Sequence, residues 1–200
     1  MVWVPRRDNT DADELSKIED RDDWCLNPRW FSECERRWGA HTVDLFASDL
    51  NAQCPRFFSR FHCPGCEGVD SFGYHWGRPG ERNWINPPFG LISRVLRKLR
   101  TDRATATVVI PVWPSRPWWH LVAPDGRHLT DQVVDWLDIP RSPDTFLPGR
   151  FSGNSQARGR PSWRIIAIRV DYSTGGSNNP LGHRCLDGGC AACHPGHRRH

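Results

Sequence analysis

The chain has 200 residues, is 38% hydrophobic and carries a formal net charge of +4 with a pI near 8.7, which supports one main domain and permits contact with nucleic acid. It holds no apolar run approaching the roughly 18 residues of a membrane span. Its eight cysteines come without an apolar leader, which favours a reduced, intracellular setting, nuclear or cytoplasmic, over a secreted disulfide framework.

Residues 1–23 differ in character from the rest of the chain. A strand-like start, Met1-Val2-Trp3-Val4-Pro5, leads into Asn9-Thr10-Asp11-Ala12-Asp13-Glu14-Leu15-Ser16-Lys17, which reads as an acidic capped helix, and residues 19–23 form a charged linker. Residues 24–38 are expected to be helical. Asn27-Pro28 opens the helix, Trp30, Phe31, Cys34 and Trp38 recur about one turn apart, and Gly39 ends it. Residues 42–47 read as a buried strand, and 68–72 and 83–85 as two short extended pieces. Residues 90–100 make the best-defined helix: Leu91, Ile92, Val95, Leu96 and Leu99 share one face, and Arg94, Arg97, Lys98 and Arg100 cover the rest. The β-branched run 105–110 has the character of a central parallel strand. It ends at Pro111, where Trp113, Pro114, Arg116, Pro117, Trp118 and Trp119 form a stiff aromatic loop, and residues 163–172 supply a last strand. Alternating strands and helices predict an α/β sheet.

Asn86-Pro87-Pro88-Phe89 leaves the end of the 83–85 strand and opens into the 90–100 helix. Chemistry in α/β proteins sits at the carboxyl ends of strands. Two consecutive prolines remove two backbone donors and fix two φ angles, so this loop is stiff. The Asn86 side-chain oxygen and the Pro87 carbonyl are both acceptors, and together they match the two hydrogens of an exocyclic amine. Phe89 adds a flat face on which an extruded base can stack. Such a loop suits methylation of a nucleobase amine, although Asn-Pro-Pro is also a competent turn. Arg94 and Arg97 on the helix, with Trp113, Arg116 and Trp118 in the aromatic loop, are candidate contacts to DNA phosphates and bases.

The flanking sequence favours the chemical reading. Asp44-Leu45-Phe46-Ala47-Ser48 resembles the turn with which amino-directed methyltransferases hold S-adenosylmethionine, with Ser48-Asp49-Leu50 standing where that group usually carries a Gly-rich turn. The longer series resembles the phage-type Dam-like family of adenine-specific DNA methyltransferases. It comprises Asp44, Ala47-Ser48, Asn51-Ala52, Cys54-Pro55-Arg56-Phe57, Asp70, Trp76, Trp84 and Asn86-Pro87-Pro88-Phe89, then Val108-Val109-Ile110-Pro111 and Trp118-Trp119. This resemblance implies a Rossmann-like methyltransferase sheet with flanking helices, S-adenosylmethionine as cofactor and DNA as substrate. By it, Asn86, Pro87, Pro88 and Phe89 hold the target base, Asp44, Phe46, Ala47 and Ser48 line the cofactor site, and Asp70 helps on the cofactor's ribose or amino-acid end.

Trp3 to Lys17 resembles the last strand and helix of the ribonuclease H domain in retroelement polyproteins, Asp13 matching a metal-binding carboxylate whose companions this chain lacks. The two resemblances in this order are similar to DIRS-like retrotransposon polyproteins, which implies a reverse transcriptase and ribonuclease H as partners. The implied plan is a ribonuclease H-like remnant and linker at 1–23, a methyltransferase-like domain at 24–173 and a Gly/Arg/Cys/His-rich, disordered tail at 174–200. The alternative is a catalytically inactive polyprotein fragment that binds nucleic acid.

Two cysteine groups stand apart. Cys63-Pro64-Gly65-Cys66 fits part of a zinc site or a loop with free thiols. In the tail, Cys185, Cys190, Cys193 and His194 would complete a tetrahedral zinc site, the alternative being a disordered basic segment.

Overall fold

A computed structural model describes residues 25–147, 161–174 and 186. The expected elements of residues 1–23, and Cys185, Cys190, Cys193 and His194, lie outside the described residues. In chain order the elements are β1 (Cys25–Leu26), α1 (Pro28–Trp38), β2 (Val43–Asp44), β3 (Phe58–Ser59), β4 (Gly68–Val69), β5 (Asn83–Ile85), α2 (Ile92–Thr101), β6 (Thr105–Pro111), β7 (Val133–Ile139), β8 (Phe146–Leu147) and β9 (Ile165–Asp171).

Local chemistry sets the helix ends. The Asn27 side chain accepts from the Arg29 N–H at 3.1 Å, Pro28 occupies the first turn, and Gly39 leaves α1 at φ 83°. The helix starts later than the expected residue 24 because Cys25 and Leu26 pair antiparallel with β8. A single 3₁₀ turn, Phe89–Leu91, precedes α2, which buries Ile92, Val95, Leu96 and Leu99 as the sequence periodicity predicts.

Five strands form one sheet in the order β2-β5-β6-β9-β7. The first three are parallel, while β9 runs antiparallel between β6 and β7. The parallel pair β3–β4 lies against the other edge of β2 through one bridge, Asp44 to Phe57, and through the Asp44 N–H donating to the Arg56 carbonyl at 2.9 Å. The chain therefore runs outward from β2 to β3 and β4, then returns to the opposite side of β2 to form β5. Strand order reverses between β2 and β5.

Side chains alternate across this sheet with the period of two that strands impose. Ile85, Val108, Ile110, Ile166, Ile168 and Val170 pack on the face covered by α2. Trp84, Val109, Ile139, Ile165 and Ala167 pack on the other, with Phe31 and Cys34 of α1. Each fully buried Ile or Leu contributes about 1.5–3 kcal/mol through removal from water.

Two features depart from the sequence expectation. Strand β7 is absent from the expected elements and carries no clear alternation, since Asp135 and Asp138 interrupt Val133-Val134-Asp135-Trp136-Leu137-Asp138-Ile139. Both carboxylates are paired, with Arg37 of α1 at 2.8 Å and Arg164 at 2.6 Å. Helices are also fewer than strict alternation requires, because no α-helix joins β2 to β3, β3 to β4 or β4 to β5. The mixed α/β sheet with a helix on each face is compatible with a methyltransferase-like fold. Leu186, within the stretch expected as a disordered tail, is buried, and its N–H and carbonyl meet the Arg127 carbonyl and the Arg164 guanidinium.

Gly77 marks the tightest approach. A Cβ there would lie 1.8 Å from the Asp102 carbonyl oxygen. That backbone is fixed, because Asp102 pairs with Lys98 at 2.8 Å and accepts from the Trp76 N–H at 2.8 Å. Gly77→Ala should lower unfolding free energy by about 1–3 kcal/mol or more, read as a fall in the urea midpoint; an unchanged midpoint would show that this loop yields freely.

Candidate active site

Two loops leave adjacent parallel strands where strand order reverses. Register pairs Asp44 with Trp84, and the Leu45 N–H donates to the Trp84 carbonyl at 3.0 Å. The segment from Leu45 to Ser48 therefore emerges beside Asn86-Pro87-Pro88-Phe89 at the carboxyl edge. Crevices at such reversals are where open α/β sheets bind ligands. Pro87 is buried, and Asn86, Pro88 and Phe89 are half-buried.

Asp44 shapes the first loop from inside. It is 2% exposed, and its two oxygens accept from the Phe46 N–H at 3.2 Å and the Gln53 N–H at 3.1 Å. Burial pushes its carboxyl up to about 7, against those two backbone hydrogen bonds, which favour the charged form. The Gln53 side chain ties the same loop to β1, donating to the Leu26 carbonyl at 3.0 Å and to Cys25 Sγ at 3.1 Å. Ser48 closes the far end: its N–H lies 2.6 Å, and its hydroxyl 3.1 Å, from Asn51 Oδ1. Among the described residues only Asp70 and Arg103 are non-glycine positions with positive φ, so Ser48-Asp49-Leu50 turns without the conformation that would call for glycine.

Asp70 stands at the end of β4, on the same edge. It is exposed, has φ 51° and caps the following 3₁₀ turn by accepting from the Phe72 N–H at 3.2 Å. Phe72 then links the parts. Its ring centroid is 5.5 Å from that of Phe46, and the Arg94 guanidinium of α2 lies 3.7 Å from it, a cation–π contact. Ala47 is buried, its N–H donating to the Phe58 carbonyl at 3.0 Å.

Phe89 is held by indoles. Its ring makes edge contacts with Trp113 at 5.1 Å and Trp163 at 5.8 Å, and the two tryptophans are 5.6 Å apart. The aromatic loop after β6 thus packs against the Asn-Pro-Pro-Phe loop. Trp113 and Trp118 are each 8% exposed and belong to the core cluster on the α2 side. Arg116 lies 5.6 Å from the Trp113 ring, and Arg97 is exposed on α2.

Of the positions expected from sequence, Asp44, Phe46, Ala47, Ser48, Asp70, Arg94 and Asn86 to Phe89 gather along one edge. Gln53, Phe72 and Trp163 join them without a motif to announce them. Trp163 begins the last expected strand, but nothing in its spacing ties it to Phe89. Among the described residues no three His, Cys, Asp or Glu side chains are placed to hold a metal ion, and no helix is long and apolar enough to cross a membrane.

Fold and site together define a mixed α/β protein in which two loops, one of them Asn86-Pro87-Pro88-Phe89, leave neighbouring parallel strands side by side. The chain matches the DNA N-6-adenine-methyltransferase (Dam) family over residues 14–167 and belongs to it, as an adenine DNA methyltransferase domain. The match begins inside the segment set apart at the N-terminus. No curated protein matches the chain.

The Asp44 carboxyl gives a pH test. Its folded value of about 7 lies above the usual 3.8, so between those limits the folded state holds a proton that the unfolded chain has lost. Stability from this group is complete below about pH 4 and is lost as pH rises through 7. His41 works in the opposite sense. Buried against Thr107 at 2.8 Å, it is lowered to about 4 by burial, then by Arg169 and Arg82, so its contribution grows between pH 4 and 6.5. Comparing Asp44→Asn with the parent isolates the first effect: the parent's urea midpoint should fall relative to the variant's as pH rises from about 4 to 7. Parallel pH profiles for the two proteins would contradict the assignment.

Proposed function

We propose that the domain transfers a methyl group from S-adenosylmethionine to the N6 amine of adenine in DNA, on a Rossmann-like sheet, within the crevice between β2 and β5. The observation that carries this reading is the emergence of the Asp44–Ser48 and Asn86–Phe89 loops from neighbouring parallel strands at the reversal of strand order. The residues present fit the cofactor. The Ser48 hydroxyl is engaged within its own loop, the turn forms without strain, and the exposed Asp70 carboxylate is an acceptor for hydroxyl or ammonium groups.

The cofactor, when bound, supplies an electrophilic methyl group. The chain's part is orientation. Asn86 Oδ1 and the Pro87 carbonyl each accept one hydrogen of the adenine amine, which turns the nitrogen lone pair toward the methyl group. The two prolines keep both acceptors in place, so little reorganisation accompanies the reaction. Phe89, fixed by Trp113 and Trp163, stacks on the extruded base. Asp44 holds the cofactor-side loop in shape rather than touching substrate. No strong general base is required, since the amine nitrogen becomes acidic once methylated and releases its proton to water. Arg94, Arg97 and Arg116 contribute positive charge toward DNA phosphates.

Residues 24–173 constitute the catalytic domain on this reading, and residues 1–23 a ribonuclease H-like remnant. The order of the two resemblances supports an origin in a DIRS-like retrotransposon polyprotein acting inside the cell beside a reverse transcriptase and ribonuclease H.

Calorimetric titration with S-adenosylmethionine tests the cofactor claim directly. Absence of binding at high micromolar concentration would favour a catalytically inactive fragment that binds nucleic acid. With binding in hand, Asn86→Ala should reduce methyl transfer to DNA by about 100-fold or more and leave cofactor affinity unchanged. A fall in both would make the loop's role structural.

A further inference from the structure

The loop from Arg60 to Glu67 between β3 and β4 lies outside the two loops of the proposed site, and it carries two cysteines in a defined geometry. Cys63-Pro64-Gly65-Cys66 is a β-turn closed by the Cys66 N–H donating to the Cys63 carbonyl at 3.3 Å, with Gly65 at φ 79°. Proline second and a positive-φ glycine third are the features of a type II turn. The first and fourth Cα atoms of such a turn lie less than about 7 Å apart, within the span that a disulfide bridges without backbone movement. The turn is anchored as well. The Glu67 N–H donates to the Phe57 carbonyl at 2.8 Å, Glu67 pairs with Arg56 at 2.8 Å, and Gly65 sits over the Phe57 ring.

We propose that Cys63 and Cys66 are a dithiol–disulfide pair, a site of reversible oxidation by small-molecule disulfides such as glutathione disulfide. One thiolate attacks a sulfur of the oxidant and releases one glutathione thiolate. The second thiolate then attacks the mixed disulfide at the protein sulfur and releases the other. Two protein thiols and one glutathione disulfide become one protein disulfide and two glutathione thiols, so atoms and electrons balance.

The other described cysteines differ in access. Cys34 and Cys54 are buried within the α1-side core, and burial pushes both thiols up, that of Cys34 to about 12. Cys25 is bonded by Gln53 and is likewise raised by burial. Cys63 and Cys66 are part-exposed on a loop whose neighbours Arg60, Phe61, His62 and Pro64 are open to solvent. Access and a second thiol in reach select the pair for oxidation. A metal at this turn would need further ligands, and no third His, Cys, Asp or Glu accompanies the pair among the described residues. Oxidation would lock the turn that leads from Phe61, 71% exposed at the carboxyl edge of β3.

Trypsin isolates the pair, because the fragment from Phe61 to Arg82 contains Cys63 and Cys66 and no other cysteine. The full chain is equilibrated with reduced and oxidised glutathione, acid-quenched, alkylated and digested. The expected result is exchange between a doubly alkylated fragment and one two hydrogens lighter than the dithiol. At a fixed ratio of the two glutathione forms, a tenfold dilution of total glutathione should raise the oxidised-to-reduced ratio about tenfold, as a protein disulfide requires and a mixed disulfide does not. Cys63→Ser should instead trap one glutathione on Cys66, with circular dichroism unchanged from the parent. Double glutathionylation, insensitivity to dilution, pairing with another cysteine, or alkylation that begins only after a chelator is added would each overturn the proposal.

Discussion

The register of two short parallel strands governs the molecule. Asp44 faces Trp84 across the β2–β5 pair, and that one alignment sets both the core and the placement of the two loops that follow. Trp84 is fully buried on the α1 side, where its ring meets Phe31 edge-on at 4.9 Å and His41 at 5.2 Å, while Ile85 faces α2. A slip of one residue would exchange those faces. The indole would then be driven into the space filled by Ile92, Val95 and Leu96, and the acceptor loop would leave the sheet at the wrong height beside Ser48.

Strands this short offer few ladder hydrogen bonds, and side chains make up the difference. Asp44 gathers two backbone N–H groups, Asn51 closes the turn after Ser48, Asp70 caps the turn before Phe72, and Gln53 reaches back to Leu26. Each of these is a side chain replacing what a longer ladder or a crossover helix would otherwise supply. The segment between β2 and β5 consequently holds its shape through polar contacts at the carboxyl edge of the sheet. Its apolar support comes from aromatic rings, Phe46, Phe72 and Trp76, packed beneath Arg94 and Lys98.

Local signals were readable in the sequence, and they located most of what is local in the structure. Asn27-Pro28 and Gly39 bracket α1, the apolar face of α2 follows its periodicity, and the β-branched run of β6 lies at the sheet's centre. What the sequence leaves hidden depends on distant partners. Strand β7 is tolerable with two aspartates because Arg37 and Arg164, far away along the chain, neutralise them. Phe58-Ser59 becomes a strand only because Asp44 and Gly68 lie alongside. Gln53 and Trp163 matter through tertiary contacts that no spacing encodes. Trp113 and Trp118, expected as contacts to bases, are each 8% exposed and pack on the α2-side core, which no spacing in the sequence announces. The proposal for Asn86-Pro87-Pro88-Phe89 starts from its own residue types, while its nearness to the Asp44 loop required the sheet.

The placement of β9 has a consequence for how this molecule comes into being. It follows every other described strand in the chain, yet it lies inside the sheet, paired along its whole length with β6 on one side and with β7 on the other. Until residue 171 has left the ribosome, β6 and β7 have no common neighbour, and the apolar faces on both sides of the sheet stay exposed to water. Such contacts, distant in sequence, close late. The nascent chain is thus a half-open layer that depends on the last of its described strands, and a product terminated before β9 would be a substrate for chaperones and proteases rather than a smaller working domain.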